Sequence, residues 1–86
     1  MKVRLPSALA GYASGKREVE AQGATLAELL ADLDRRYPGI RFRVVDEQNA
    51  VRPHIRFFVN RELVRSIDVT LAHGDEVLVV AALSGG

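Results

Sequence analysis

Glu76-Val77-Leu78-Val79-Val80-Ala81-Ala82-Leu83 is apolar on both of its alternating faces. Val77, Val79, Ala81 and Leu83 share one face, and Leu78, Val80 and Ala82 share the other. A strand with one side in water alternates apolar with polar residues, so this run suits a central strand of a mixed sheet rather than an edge. His73-Gly74-Asp75 is the turn signal that leads into it, and Ser84-Gly85-Gly86 follows it as the last residues.

Upstream, Ile55–Asn60 reads as a strand with Ile55, Phe57 and Val59 on one face. Asn60-Arg61-Glu62 reads as a turn that leads to a short strand at Leu63–Arg65. Further back a helix is clearly punctuated. Thr25 can accept the backbone N–H of Glu28, and Glu28 can reach back to the Thr25 amide, which together make a capping box. Leu26, Leu29, Leu30, Leu33 and Tyr37 then form one apolar stripe, with Glu28, Asp32, Arg35 and Arg36 on the opposite side. Asp32 precedes Arg36 by four residues, the favourable order for a helix ion pair. Pro38-Gly39 ends the helix, because proline disfavours the α conformation at Tyr37 and glycine turns without strain.

At the N-terminus Lys2–Leu5 alternates, with Val3 and Leu5 inward. Gly11–Lys16 reads as a loop, and Arg17–Gln22 alternates again through Val19 and Ala21. The two alternating segments predict an opening hairpin. Ile40–Val45 fits either a short strand or a helical turn, and Asp46–Ala50 is loop-like. The order strand, strand, helix, strand, strand, strand predicts an α+β protein of the β-grasp, or ubiquitin-like, type. One main helix should lie across one face of a mixed sheet of four to five strands, with the last strand central.

Length and composition narrow the functional classes. Eighty-six residues make one domain, expected over residues 1–86 with a flexible tail at 84–86. A formal net charge of +1, with twelve basic residues scattered among eleven acids, builds no field for nucleic acid or membrane, so neither is an expected partner. No cysteine is present, which removes disulfides, thiolate metal sites and a cysteine nucleophile. No signal-peptide pattern or membrane-length apolar run stands in the chain, so a cytoplasmic location is expected.

Three stretches resemble the MoaD/ThiS family of bacterial sulfur carriers. Phe57-Phe58-Val59-Asn60 followed by Leu63-Val64 is similar to the family's strand pair. His73-Gly74-Asp75-Glu76-Val77 is similar to its Gly-Asp-Glu-Val entry into the final strand, and Ala81-Ala82-Leu83-Ser84-Gly85-Gly86 to its tail. The resemblance implies that the working group is the Gly86 carboxylate, and that the chain is a carrier rather than an enzyme. An adenylating enzyme of the ubiquitin-activating type would join that carboxylate to AMP from ATP. Attack by a persulfide or sulfide would leave a thiocarboxylate, which donates sulfur inside a biosynthetic enzyme. ATP is thus used by the partner, and no cofactor stays bound to this chain. Glycine suits such a tail because a backbone without Cβ can thread a narrow channel.

The pathway implied is cysteine or molybdopterin synthesis first, with thiamine synthesis or tRNA thiolation as others. The tail lacks the Phe-Pro-Pro element of molybdopterin synthase small subunits, and Phe57–Asn60 with Leu63–Arg65 looks closer to the cysteine-synthesis type. A protein modifier joined to lysines through Gly86 needs the same tail, and a non-covalent ubiquitin-like binding module is a third class. For partner binding the candidates are Gly85, Ser84, Leu83 and Ala82 in the tail, with Phe58, Leu78 and Val80 by strand parity. Two readings stand for Phe58: burial beneath Ile40–Pro53, or an apolar docking patch on the sheet face away from the helix.

Other features point to structure. His54 and His73 have no cysteine or carboxylate cluster at ligand spacing, so no metal site is expected. Arg41-Phe42-Arg43 mixes base and aromatic, but one such triplet in a charge-balanced chain reads as a solvated loop with one buried Phe. Asp75-Glu76, Glu18 and Glu20 read as surface charge.

Overall fold

The computed structural model describes residues 1–82. Strands β1 (Lys2–Arg4), β2 (Glu18–Glu20), β3 (Ile55–Val59), β4 (Glu62–Val64) and β5 (Glu76–Ala81) form one sheet in the order β2-β1-β5-β3-β4. β5 is central. It runs parallel to β1 and antiparallel to β3, while β1–β2 and β3–β4 are antiparallel. The two-sided apolar run therefore occupies the place its composition requires. The main helix, α2 (Leu26–Arg36), packs with the sheet in a single core, and short helices α1 (Ser7–Ala10) and α3 (Ile40–Val44) complete the fold.

All buried strand residues, namely Val3, Val19, Ile55, Phe57, Val77 and Val79, lie on one side of the sheet. Leu26, Leu29, Leu30 and Leu33 of α2 join them in one cluster with Ile40, Val44, Val45, Ile67 and Leu71. Tyr37 is half-buried at the rim of that cluster.

The start of α2 is fully satisfied. Thr25 Oγ1 accepts the Glu28 amide at 3.2 Å. The Leu26 and Ala27 amides, which have no intrahelical acceptor, donate to the carbonyls of Val69 and Ile67 in the crossing chain. The second arm of the expected capping box is different: Glu28 Oε1 accepts the Ala24 amide at 3.0 Å, not that of Thr25. The residue ahead of the cap turns its N–H toward the helix because Gly23 lies directly against it. A Cβ on Gly23 would come within 2.3 Å of the Leu29 nitrogen. At the other end Asp32 pairs with Arg36 at 3.0 Å, as its spacing predicts, and also with Arg35. Gly39 has φ +98°, and Asp34 Oδ1 accepts the Gly39 and Arg41 amides to start α3.

Several sequence expectations are corrected. The opening strands do pair, but through a long connection containing α1 and a 3₁₀ turn at Gly11–Ala13, not through a tight hairpin. Pro6 fixes an extended φ of −72° just before α1, and Leu9 and Ala13 anchor the connection in the core. Of the two readings left open for Ile40–Val45, the helical one holds for Ile40–Val44, while Val45 is extended and makes an isolated bridge to Val51. The turn after β3 has two residues, Asn60 (φ 50°) and Arg61 (φ 73°), not three. Paired left-handed residues match the twist of a two-residue hairpin. Phe42 is not buried; it is 53% exposed and its ring is covered by the Arg52 guanidinium, 4.6 Å from the centroid.

Candidate functional site

The candidate site has two parts, the end of β5 and the sheet face away from α2. β5 is paired with β1 as far as Leu78, opposite Arg4, and with β3 as far as Ala81, opposite Ile55. One residue on, the Ala82 amide donates to the His54 carbonyl at 2.7 Å. Ala82 itself is exposed. Residues 83–86, which include the candidates Leu83, Ser84, Gly85 and Gly86, lie outside the described residues.

The outer sheet face carries the other candidates. Leu78 of β5 is paired with Phe58 of β3, and Phe58 in turn with Leu63 of β4. Val80 lies one step along β5, opposite Arg56. Leu78 and Leu63 are each 40% exposed, whereas Phe58 and Val80 are half-buried. Ile40–Pro53 does not bury this row, because Ile40, Val44 and Val45 are buried in the helix-side core. The face is therefore open to solvent. Leu63 was missed in the sequence, and a two-residue reading of Asn60-Arg61 would have found it. That turn pairs Val59 with Glu62 and so must set Leu63 opposite Phe58.

The hairpin tip is locked to the start of β5. Asn60 Nδ2 donates to Asp75 Oδ1 at 2.8 Å, Asn60 Oδ1 accepts the Glu76 amide at 3.0 Å, and the Asn60 amide donates to the Glu76 carbonyl at 2.9 Å. Asp75 Oδ2 accepts the Ala72 amide at 2.8 Å. That bond, with the Asn60 amide group, holds the Asp75 carboxyl below its ordinary value. Asp75 is therefore a turn-forming residue that fixes Leu78 against Phe58. Two of the stretches that carried the resemblance are thus in direct contact, Asn60 closing one and Asp75 opening the other.

Among the described residues no group of three His, Asp or Glu side chains could hold a metal ion. Among the same residues no helix is long and apolar enough to cross a membrane.

The model of the ThiS family matches residues 3–86. The chain belongs to the ThiS family. This ThiS-family chain is 33% identical over 89 aligned residues to the sulfur carrier protein CysO of Mycobacterium tuberculosis, covering 98% of this chain and 96% of that protein. Among solved structures, CysO in the Amycolatopsis orientalis BexX/CysO complex superposes with a TM-score of 0.92 at 33% identity, covering 99% of this chain and 98% of that one. Haloferax volcanii small archaeal modifier protein 1 superposes with a TM-score of 0.77 at 28% identity, covering 96% and 97%. These neighbours and the five-stranded mixed sheet with its crossing helix make the fold a β-grasp.

Proposed function

We propose that the chain carries sulfur as a thiocarboxylate on Gly86 and delivers it to a biosynthetic enzyme. The observation that carries this reading is that the family match runs through Gly85-Gly86 to residue 86. The similarity to CysO adds support and favours cysteine synthesis over the molybdopterin route. The geometry suits the task, since the tail follows a central strand whose last described amide is still bonded to the sheet. Four residues beyond Ala82 span at most about 14 Å when extended, enough to enter a channel while the domain stays outside.

A carboxylate is a poor acyl donor until one oxygen becomes part of a good leaving group. In the proposed sequence a Gly86 carboxylate oxygen attacks the α-phosphorus of ATP and pyrophosphate leaves, giving an acyl-adenylate. Hydrosulfide then attacks the acyl carbon, AMP leaves, and a proton is lost. With a persulfide donor, an acyl disulfide forms first and a partner thiol must cleave it. All catalytic side chains belong to the partners, so the chain is a carrier and not an enzyme, at work in the cytoplasm. The apolar row Phe58, Leu63, Leu78 and Val80 would dock those partners while Ala82 and residues 83–86 insert.

Incubation with ATP, the cognate adenylating enzyme and sulfide should raise the intact mass by about 16 Da, one oxygen replaced by sulfur in an acyl substitution. An unchanged mass with an enzyme that is active on another carrier would reject the proposal. The likeness to a small archaeal modifier protein supports a second reading, attachment to lysines through Gly86. That reading expects higher-mass conjugates that vanish on deletion of Gly86. A purely non-covalent module would tolerate a residue appended after Gly86, which both acyl chemistries forbid.

A further inference from the structure

Arg52, Arg56 and Arg65 line one cleft beside the point where the chain leaves the sheet, together with Val51, Pro53 and Leu63. None of the three forms an ion pair among the described residues, a property they share with Lys16, Arg17, Arg41, Arg43 and Arg61, and what sets them apart is their convergence on one cleft. Two of them are held in place by backbone oxygens, which fix a guanidinium without neutralising it. Arg52 Nε donates to the Phe42 carbonyl at 2.7 Å, and its plane covers the Phe42 ring. Arg56 Nη1 donates to the carbonyls of Pro53 at 2.7 Å and Ile55 at 2.9 Å. Asp46 feels the charge of Arg52, but its carboxylate is spent first on the Ala50 and Gln48 amides.

The third arginine makes the arrangement costly in isolation. Phe57 pairs with Val64, the last residue of β4, and Arg65 directly after it lines the same cleft as Arg56. Like charges gathered on one cleft repel each other. Preorganised, un-neutralised guanidiniums favour a carboxylate or phosphate ligand, because little ordering remains to be done on binding.

The cleft is continuous with the apolar docking row through Leu63, so whatever covers Phe58 and Leu78 also meets the arginines. An RNA ligand fits poorly: the exposed Phe42 ring is already covered by Arg52, and Asp46, Glu47 and Glu62 are interspersed with the bases along the chain.

We propose that Arg52, Arg56 and Arg65 receive carboxylates on the activating enzyme, an acidic rim around the opening through which the C-terminal residues pass. This rests on the carrier reading above and gives it a partner of stated chemistry, an apolar patch edged by Asp and Glu. Charges at the edge of an interface act mainly on encounter and orientation and are screened by salt.

The test is pyrophosphate exchange by the adenylating enzyme with the full-length chain as varied substrate, at low and high NaCl. Replacing the three residues together (Arg52→Gln, Arg56→Gln, Arg65→Gln) should lower kcat/KM about tenfold at low salt through KM, with kcat unchanged. The wild-type advantage should shrink toward nothing at high salt. The triple Lys version should recover most of the loss, Lys16→Gln should behave as wild type, and urea midpoints should confirm that every variant is folded. Equal KM values for wild type and the triple Gln variant, or a salt-insensitive wild type, would overturn the acidic rim while leaving the carrier reading intact. No exchange with any variant would instead reject the carrier reading. Wild-type binding of free ATP or an oligouridylate at physiological salt, lost in the triple variant, would overturn the proposal by assigning the cleft to phosphate.

Discussion

Val77 and Val79 are 1% and 2% exposed, whereas Leu78 between them is 40% exposed, so one strand serves two environments. On the inner side Val3, Ile55, Phe57, Val77 and Val79 share one buried cluster with the leucines of α2 and with Ile67 and Leu71, and the first amides of α2 are all bonded. On the outer side the apolar row Leu78, Phe58 and Leu63 adjoins a cleft lined by Arg52, Arg56 and Arg65, which form no ion pair among the described residues. A small domain has little core to spare, so side chains of this size left facing water contribute little to its stability. The inner face holds the domain together, and the outer face is kept for something else.

Core truncations should show the largest effect. Leu30→Ala or Leu33→Ala should each cost about 2–5 kcal/mol by urea unfolding, since both side chains are buried and would leave cavities. Such a loss is a large share of the stability of a small domain. A wild-type midpoint for both would break the distinction between the faces. Leu78→Ala should reverse the balance, costing under about 1 kcal/mol because much of the side chain is already in water. Its KM in pyrophosphate exchange should nonetheless rise several-fold. A large stability loss with unchanged KM would make Leu78 a core residue and the outer face inert.

Acid should act most gently. Asp32, Asp46 and Asp75 each have a carboxyl held below the ordinary 3.8, chiefly by the backbone amides of Gln22, Ala50 and Ala72 respectively. A native value below the unfolded one means the unfolded chain binds protons more readily. The stabilisation is therefore complete above pH 3.8 and lost as pH falls through the lower native values. Thermal melting followed down an acid series should show this loss. Asp32→Asn should flatten it modestly, since Asp32 bonds Gln22, Arg35 and Arg36. An unaltered acid limb would show that those bonds contribute nothing.

Where elements were legible from the chain, one local rule sufficed. The stripe of α2 and its Thr25 cap needed only the helical period, and the double-sided β5 needed only its lack of polar alternation. Ile40–Val45 was ambiguous because a short apolar run fits both periods. Ile40–Val44 became helix when Asp34 supplied acceptors for the Gly39 and Arg41 amides. Glu28 found Ala24 instead of Thr25 because Gly23 brings that amide against the helix. Phe42 escaped burial because Arg52, ten residues away, supplied a cover no local pattern contains.

From its residues alone this chain determined a helix, a central strand and a Gly-Gly end, because side-chain direction along a helix or strand follows from the period of the backbone. Tertiary structure decided which face stays open and which arginines converge. A two-residue turn at Asn60-Arg61 set Leu63 beside Phe58 and brought Arg65 to the cleft that Arg56 lines, and the Phe42 carbonyl held Arg52 at the same cleft. Neighbours of that kind come from strand register and long-range hydrogen bonds, which no single stretch of sequence encodes.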